Sequence, residues 1–442
     1  MISSEFALGI TAPKGWNTIP FWSLFRRVKE TGFPDEELLS VYRDHGVVPK
    51  SSRDDNFNKE SEDLSSYQRV LEGSLVTNKM KAWQGSIAVS RHQGIVSPAY
   101  YVYHPLSEEH DQFLHYLLRS QPYIALYQRI SKGVRVNQWD LEHDALRTIP
   151  VILPDLATQK ATADFLDRET ARIDQLIEKK QRLVEVTKNR NLAALQEAVL
   201  GGAKVVRSDD QRWLNDLPAG WHMIPLKHLV SVIGGATPLK DREEFWEGEI
   251  PWVSPKDMKT DEIADVPDHV SNAAIAGSAL SRVPSEAVLI VVRGMILART
   301  VPVCRLLVDA TINQDMKALV PNEKAVSGKY LQRMLQGFNS VLMSFVEEAA
   351  HGTKKLRSDQ LFSMQFPVPP LAQQAQIVDR IEEEHKKSGS ICHKTLVSIE
   401  RLREYRAALI TAAVTGQIDV ITYGNQGATD GTLDRIEEEV GG

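Results

Sequence analysis

The sequence predicts a mixed α/β (α+β) protein. Two mixed α/β globular domains are separated by two long helices, which pair as an antiparallel coiled coil within a pseudo-two-fold internal repeat. Three observations carry this expectation. Short words recur in the same order in both halves of the chain. Two long segments without proline follow a helical apolar period. The stretches between them are rich in β-branched residues, punctuated by glycine and polar turns.

The repeat is written in two registers. "PKGWNTIP" (13–20) returns as "PAGWHMIP" (218–225), an offset of 205. The proline box "IPVILPDLATQKATADFL" (149–166) returns as "FPVPPLAQQAQIVDRI" (366–381), an offset of 215 that holds to the end of the repeat. Leu156, Ala157 and Gln159 fall on Leu371, Ala372 and Gln374; Ala198, Val199 and Gly201 fall on Ala413, Val414 and Gly416. The change of offset places a ten-residue length difference in the diverged middles. Asp155 reads as an extra residue in the first box, so the two helix starts are expected to differ in geometry. Trp16 and Trp221 in the P-x-G-W words read as core anchors.

Each box ends in a proline stop followed by good helix formers. Leu166, Ile173, Ile177, Val184, Leu192, Leu195 and Val199 recur near helical spacing, and Leu176 and Leu183 widen the stripe. The second copy shows Ile377, Ile381, Cys392, Leu396, Ile399, Leu402, Leu409 and Ala413. Gly201-Gly202 and Gly416 supply the C-terminal stops. Each segment predicts a helix of roughly 40 residues, about 60 Å long. One apolar stripe of that length needs a partner, and the other repeat is the obvious one. Gly389 lies inside the second helix and predicts a bend or a close backbone approach there. The acidic segment after Val420 has no counterpart in the first half and is expected to be partly disordered.

Between these landmarks, "GSLVTNKMKAWQGSIAVSRHQGIVSPAYYVYHP" (73–105) and "AVLIVVRGMILARTVPVCRLLVDATINQDMKALVP" (287–321) alternate β-rich pieces with turns, predicting a substantial sheet in each domain. Hydrophobic content of 42% and charged content of 25% are ordinary for a globular protein, and 442 residues exceed what one core holds. No apolar run is long enough to span a bilayer and the N-terminus lacks a signal-peptide pattern, so the expectation is a cytoplasmic protein without a membrane partner. Cys304 and Cys392 are the only cysteines, too few for a disulfide framework or a Cys-rich zinc site. The net charge is −6. Asp430, Asp434, Glu437, Glu438 and Glu439 face only Arg435 in the tail, so the tail holds most of that charge and a local basic groove elsewhere is permitted.

A catalytic site is hard to assemble from these residues. The amino-methyltransferase word Asn/Asp-Pro-Pro-Tyr/Phe, GxGxxG, the Walker GxxxxGK[ST] and HExxH are all missing from the sequence. Pro154-Asp155 with Glu178-Lys179-Lys180 looks like a nuclease pattern, but the two parts stand some 35 Å apart along one helix and cannot converge on a metal. His351 reads as a loop or packing residue. The expectation is a chain with no catalytic, metal or cofactor-binding residues of its own.

Two similar modules on a helix pair suit a target that also comes in two parts, and duplex DNA with half-sites about one turn (~34–36 Å) apart is such a target. The words "IGGATP" (233–238), "IPWVSPKDMK" (250–259), "VVRGMILART" (291–300), "TINQDMKAL" (311–319), "LRSDQL" (356–361) and "PPLAQQAQIV" (369–378) resemble the specificity (S) subunit of a type I restriction-modification system. The first half adds "VTNKMKAWQGSIAVS" (76–90), "GIVSPAY" (94–100) and "LPDLATQKA" (153–161), so the resemblance covers nearly the whole chain. It implies target recognition domains at 1–153 and 203–368, spacer helices at 154–202 and 369–416, and a tail at 417–442. It implies double-stranded DNA, two methyltransferase (M) subunits and motor-nuclease (R) subunits as partners. S-adenosylmethionine, ATP and Mg would belong to those partners, and DNA methylation and phage defence would be the setting. A related phage-defence methylation system, or a chain that methylates or cuts DNA by itself, are the competing readings. Candidate DNA contacts are Asn78, Lys79, Lys81 and Arg91 in the first domain, and Lys256, Arg293, Arg299, Lys317, Lys354, Lys355 and Arg357 in the second. Candidate helix-pair or partner-interface residues are Leu166, Ile173, Ile177, Val184, Leu195, Ile381, Leu396, Ile399, Leu402 and Leu409.

Overall fold

The fold is that of a computed structural model. It describes residues 9, 11–43, 45–52, 61–135, 138–202, 204–205, 214–215, 217–349, 352–425 and 427–441. His351 lies outside them. The chain forms two compact units, Met1–Leu183 with Lys394–Gly442, and Val184–His393. Both long helices are continuous, Leu156–Leu200 and Leu371–Val414, and each contributes one half to each unit.

In the first unit a four-stranded antiparallel sheet runs in the order Phe25–Val28, Tyr100–Pro105, Leu75–Asn78, Ile87–Val89. Helices Asp111–Leu118 and Gln121–Ile130 cover it. The P-x-G-W word leads into strand Asn17–Pro20, which pairs antiparallel with Pro150–Leu153 of the proline box, Asn17 opposite Leu153. The terminal words of the domain are therefore hydrogen-bonded to each other. Phe21, Tyr103, Phe113, Ile173, Ile177, Ile399, Leu402 and Leu409 share one buried cluster, so the domain core runs into the helix pair without a break.

The second unit repeats this plan. His222–Pro225 pairs with Gln365–Val368, His222 opposite Val368, which is the first pairing shifted by the two sequence offsets. Its five-stranded sheet is ordered Val230–Gly234, Met316–Pro321, Val288–Val291, Val303–Leu306, Glu262–Ile263. Leu195, Ala198, Val199, Val378 and Ile381 belong to its core, beside Leu289, Tyr330 and Phe366. The early part of the first helix thus packs with the late part of the second in one unit, and the reverse holds in the other. That is an antiparallel pair.

Two glycines close the helices in the same way. Gly201 (φ +63°) and Gly416 (φ +68°) adopt the left-handed conformation that ends a helix without a Cβ penalty. A Cβ on Gly201 would strike Pro218 and Trp221; one on Gly416 would strike Pro13 and Trp16. Each helix therefore ends against a P-x-G-W word, and both tryptophans are packed in the interior, Trp221 buried and Trp16 half-buried beside Phe113.

Several expectations change. Asp155 is not an extra residue; it takes the place of Pro370 and caps the first helix, accepting from Thr158 N (3.0 Å) and Thr158 Oγ1 (2.9 Å). Those bonds hold its carboxyl below the usual range. The helix runs on through Gly389, and a Cβ there would meet open space, so the glycine makes no close backbone approach. Among the predicted interface residues Leu166, Ile173, Ile177, Val184, Leu195, Ile381, Ile399, Leu402 and Leu409 are buried, but Leu396 is 48% exposed. Thr395 and Ser398 take the inward positions beside it, because the stripe passes through polar residues that an apolar period cannot see.

The segment after Val420, expected to be partly disordered, carries helices Val420–Asn425 and Ala428–Gly441. Leu433 and Ile436 bury one face of the second, while Asp430 pairs with Arg172 and Glu437 with Lys180 (3.2 Å) on the first long helix. Composition alone misses this because the apolar residues are few but sit on one face.

Cys304 is buried, its Sγ donating to Thr260 O, and burial pushes its thiol up to about 12. Cys392 is partly exposed on the second long helix. At pH 8 the native chain is expected to react with one equivalent of a thiol reagent at Cys392, and with a second only in denaturant. Rapid labelling of Cys304 in the native chain would contradict this packing.

Candidate nucleic-acid interface

The two units share one local arrangement that the sequence offsets do not reveal. In the first, strand Leu75–Asn78 runs into a short 3-10 turn at Ala82–Gln84 and then strand Ile87–Val89. In the second, Val288–Val291 runs into the turn Met295–Ala298 and then Val303–Leu306. A β-hairpin docks on each turn. Leu141 N of hairpin Ser131–Leu141 donates to Lys79 O at 3.0 Å. Leu356 N of hairpin Val346–Leu356 donates to Val292 O at 2.9 Å.

Most of the candidate DNA-binding residues gather around these two turns, but Arg91 does not: it follows the far end of strand Ile87–Val89. Asn78, Lys79 and Lys81 lie on the first, where Asn78 Oδ1 accepts from Met80 N (3.1 Å) and shapes the turn. Arg293 and Arg299 flank the second, and Arg293 bridges Lys355 of the hairpin through the backbone. Gly294 N donates to Lys354 O at 2.9 Å, and Arg357 follows the same hairpin strand. The other motif words converge on the same end of the sheet. Lys317 stands on the strand opposite Ile290 and Gly234, Val253 opposite Ile312, and Asp315 O accepts from Val292 N and Arg293 N. Gly235 is required there, because a Cβ would lie 2.0 Å from Asn313 O.

Ion pairing divides the candidates. Lys256 is engaged by Asp268, Lys354 by Glu348 (2.8 Å), Arg357 by Asp359 (3.4 Å) and Arg91 by Asp167 (3.5 Å) on the first long helix. The Lys354 ammonium holds the Glu348 carboxyl below its ordinary value. Lys81, Arg293, Arg299 and Lys355 are exposed and form no ion pair among the described residues. Among the candidates, these four are exposed cations free to neutralise phosphates. Lys79 and Lys317 are half-buried, and Arg293, whose apolar neighbours in the sequence suggest a buried partner, is exposed.

Sequence reasoning passes over the apolar members of the turns. Trp83 packs on Trp139 of the docked hairpin, with ring centroids 5.0 Å apart. Met295 is 66% exposed at the corresponding place in the second unit, with Ile296 beside it. A lone Trp or Met in a turn carries no signal; only the shared strand–turn–hairpin arrangement singles them out.

The nuclease-like pattern dissolves, since Asp155 is a helix cap and Lys180 is paired with Glu437. Among the described residues there is no group of three His, Cys, Asp or Glu that could hold a metal ion, and no helix long and apolar enough to cross a membrane.

Fold and turns together define a duplicated two-domain protein on an antiparallel helix pair, with unpaired cations beside a conformationally fixed turn in each domain. Residues 218–401 match the family model for the type I restriction modification DNA specificity domain. The specificity subunit of the Escherichia coli type I restriction enzyme EcoR124I/EcoR124II is 28% identical over 301 residues, 66% of this chain and 68% of that protein. The specificity subunit of the MjaIX enzyme from Methanocaldococcus jannaschii is 24% identical over 42% of this chain and 44% of its own length. Among solved structures, a chain from a study of assembly and conformational transition in the type I restriction-modification system superposes with TM-score 0.71 at 16% identity, covering 92% of this chain and all of that one. The HsdS subunit from Thermoanaerobacter tengcongensis gives 0.50 at 16% identity, covering 94% of this chain and all of its own. The chain is thus similar to type I restriction-modification specificity subunits in sequence and in fold.

Replacing Arg293 or Lys355 by alanine is expected to weaken duplex DNA binding and to lower the slope of log affinity against log salt by about one for each phosphate no longer neutralised. Lys354→Ala, which removes a lysine already paired with Glu348, should change that slope less. Fluorescence anisotropy titrations at several salt concentrations distinguish the three, and equal salt slopes for all would remove the turn from the interface.

Proposed function

We propose that this chain is the DNA sequence-specificity component of a type I complex, with domain 1–153 reading one half of an asymmetric bipartite site and domain 203–368 the other. The helices 154–202 and 369–416 set the gap between half-sites and dock two methyltransferase subunits, to which motor-nuclease subunits join. The observation that carries this reading is the doubled strand–turn–hairpin with its free cations, Lys81 in one unit and Arg293, Arg299 and Lys355 in the other. The scaffold around those turns is shared while the side chains on them differ, as two readers of different bases require. The chain carries no catalysis in this reading. S-adenosylmethionine would act in the methyltransferase, ATP and Mg in the motor-nuclease, and the complex would work in the cytoplasm against unmodified duplex DNA. An adenine to be methylated must leave the base stack for a pocket, which the partner would supply.

Methylation-sensitive sequencing of DNA from cells carrying this chain and its methyltransferase partner should show adenines modified within a two-part motif. The purified chain alone should transfer no methyl group. A continuous palindromic motif, or methylation by the chain alone, contradicts the proposal. Inserting one heptad into either long helix should change the gap in the motif and leave its bases unaltered; changed bases would make the helices readers.

A further inference from the structure

The glutamine of each proline box is buried completely, which is unusual for a side chain with two donor hydrogens and two acceptor lone pairs. Gln159 Oε1 accepts from the backbone N of His110 at 2.9 Å, and its Nε2 donates to Pro154 O at 3.0 Å and to Glu109 Oε2 at 2.6 Å. Gln374 Oε1 accepts from the backbone N of Ser327 at 2.9 Å, and its Nε2 donates to Pro369 O at 2.9 Å and Ala325 O at 2.8 Å. His110 and Ser327 are the N-caps of the helices Asp111–Leu118 and Gly328–Gly337 that cover the two sheets. In both units one amide therefore ties three pieces together: the long helix that carries it, the last carbonyl of the proline stop, and the start of the domain's covering helix.

A second latch lies two turns further along each long helix. Asp167 accepts from Gln112 Nε2 and Tyr116 OH, each at 2.7 Å. Its counterpart Glu382 pairs with Lys329 Nζ at 3.4 Å. The same covering helix is thus held at two points along the same spacer, in both units, by a buried amide and an exposed carboxylate.

We infer that Gln159 and Gln374 are positioning residues that fix the angle of each domain on its helix, and through that angle the number of base pairs tolerated between the half-sites. The inference rests on the bipartite reading proposed above. Helix length alone cannot hold a gap to one base pair. For a domain of about 100 residues with a radius of gyration of about 13 Å, and so about 34 Å across, a swing of about 6° at the joint carries the outer surface about 3.4 Å, one base-pair step. A buried amide that donates two bonds and accepts one resists that swing, because rotation breaks bonds that no water is at hand to replace.

The test uses the full chain with its methyltransferase partner. Duplexes carry the same half-motifs with the natural gap or one base pair more or fewer, and initial methylation rates are compared. Gln159→Met and Gln374→Met keep the volume and lose the bonds; Glu382→Ala releases an exposed latch and leaves the buried core untouched. The preference of the wild-type complex for the natural gap is expected to fall at least tenfold in either glutamine variant and several-fold in Glu382→Ala, with the bases of each half unchanged. Variants that lose rate on all duplexes in proportion, keeping the gap preference, would overturn the inference and leave the glutamines purely structural. If the glutamine variants fail to fold, an unchanged preference in Glu382→Ala overturns it. A wild-type complex whose motif has no fixed gap would instead defeat the bipartite reading itself.

Discussion

A helix of 45 residues with a single apolar stripe cannot be left alone in water, and the rest of the molecule follows from how that stripe is covered. Isolated, such a helix has little to hold it beyond propensity. Here each half of each helix is claimed by a domain core, so Ile173 and Ile177 lie in one cluster with Phe113 and Tyr103 while Leu195 and Val199 lie in another with Leu289 and Tyr330. Two helices, each buried at both ends, make a pair whose register both domains enforce. Asp174 and Arg406 add an ion pair across it, at 3.0 Å from Arg406 Nη2, though both are partly exposed and such pairs contribute little.

The proline boxes make this possible because each must end a strand and begin a helix within a few residues. The strand half is held by the P-x-G-W strand, Asn17 opposite Leu153 and His222 opposite Val368. The helix half is held by the buried glutamine, which bonds the proline carbonyl five residues before it. The box also fixes the other end of the chain's path, since Gly201 and Gly416 close their helices against Trp221 and Trp16. Strand pairing, buried amide and glycine seat are separate devices with one result: a domain whose two termini and covering helix are fixed to its long helix.

That division explains what can be read from residues alone. At several places where one side chain must satisfy a specific geometry both halves write the same letter, and Gln159 with Gln374, Gly201 with Gly416 and Trp16 with Trp221 are visible as repeats. Where only burial is required, many letters serve, so the common strand order of the two sheets and the docked hairpins leave no matching words. Leu396 lies off the buried stripe for a related reason: Thr395, Ser398 and Glu169 are buried on the two long helices, and a stripe traced through apolar residues alone drifts past them. The DNA-binding candidates are only partly separable by sequence, because a lysine engaged by a carboxylate, as Lys354 is by Glu348, has the same letter as one that is free.

The charge of the chain illustrates the same point in electrostatic terms. A net −6 argues against a nucleic-acid surface only if charges act as a sum, and at a Debye length of about 8 Å they do not. The tail that supplies most of the negative charge is a helix whose Asp430 and Glu437 are engaged by Arg172 and Lys180, and whose Leu433 and Ile436 are packed into the first unit. Its field is answered locally, along one side of the first long helix. The cations at Arg293, Arg299 and Lys355 belong to the second unit and have no carboxylate of their own among the described residues. For a phosphate approaching that turn, those three charges act at short range. An acidic protein can therefore carry a basic reading edge, and the pairing of individual side chains decides where that edge lies.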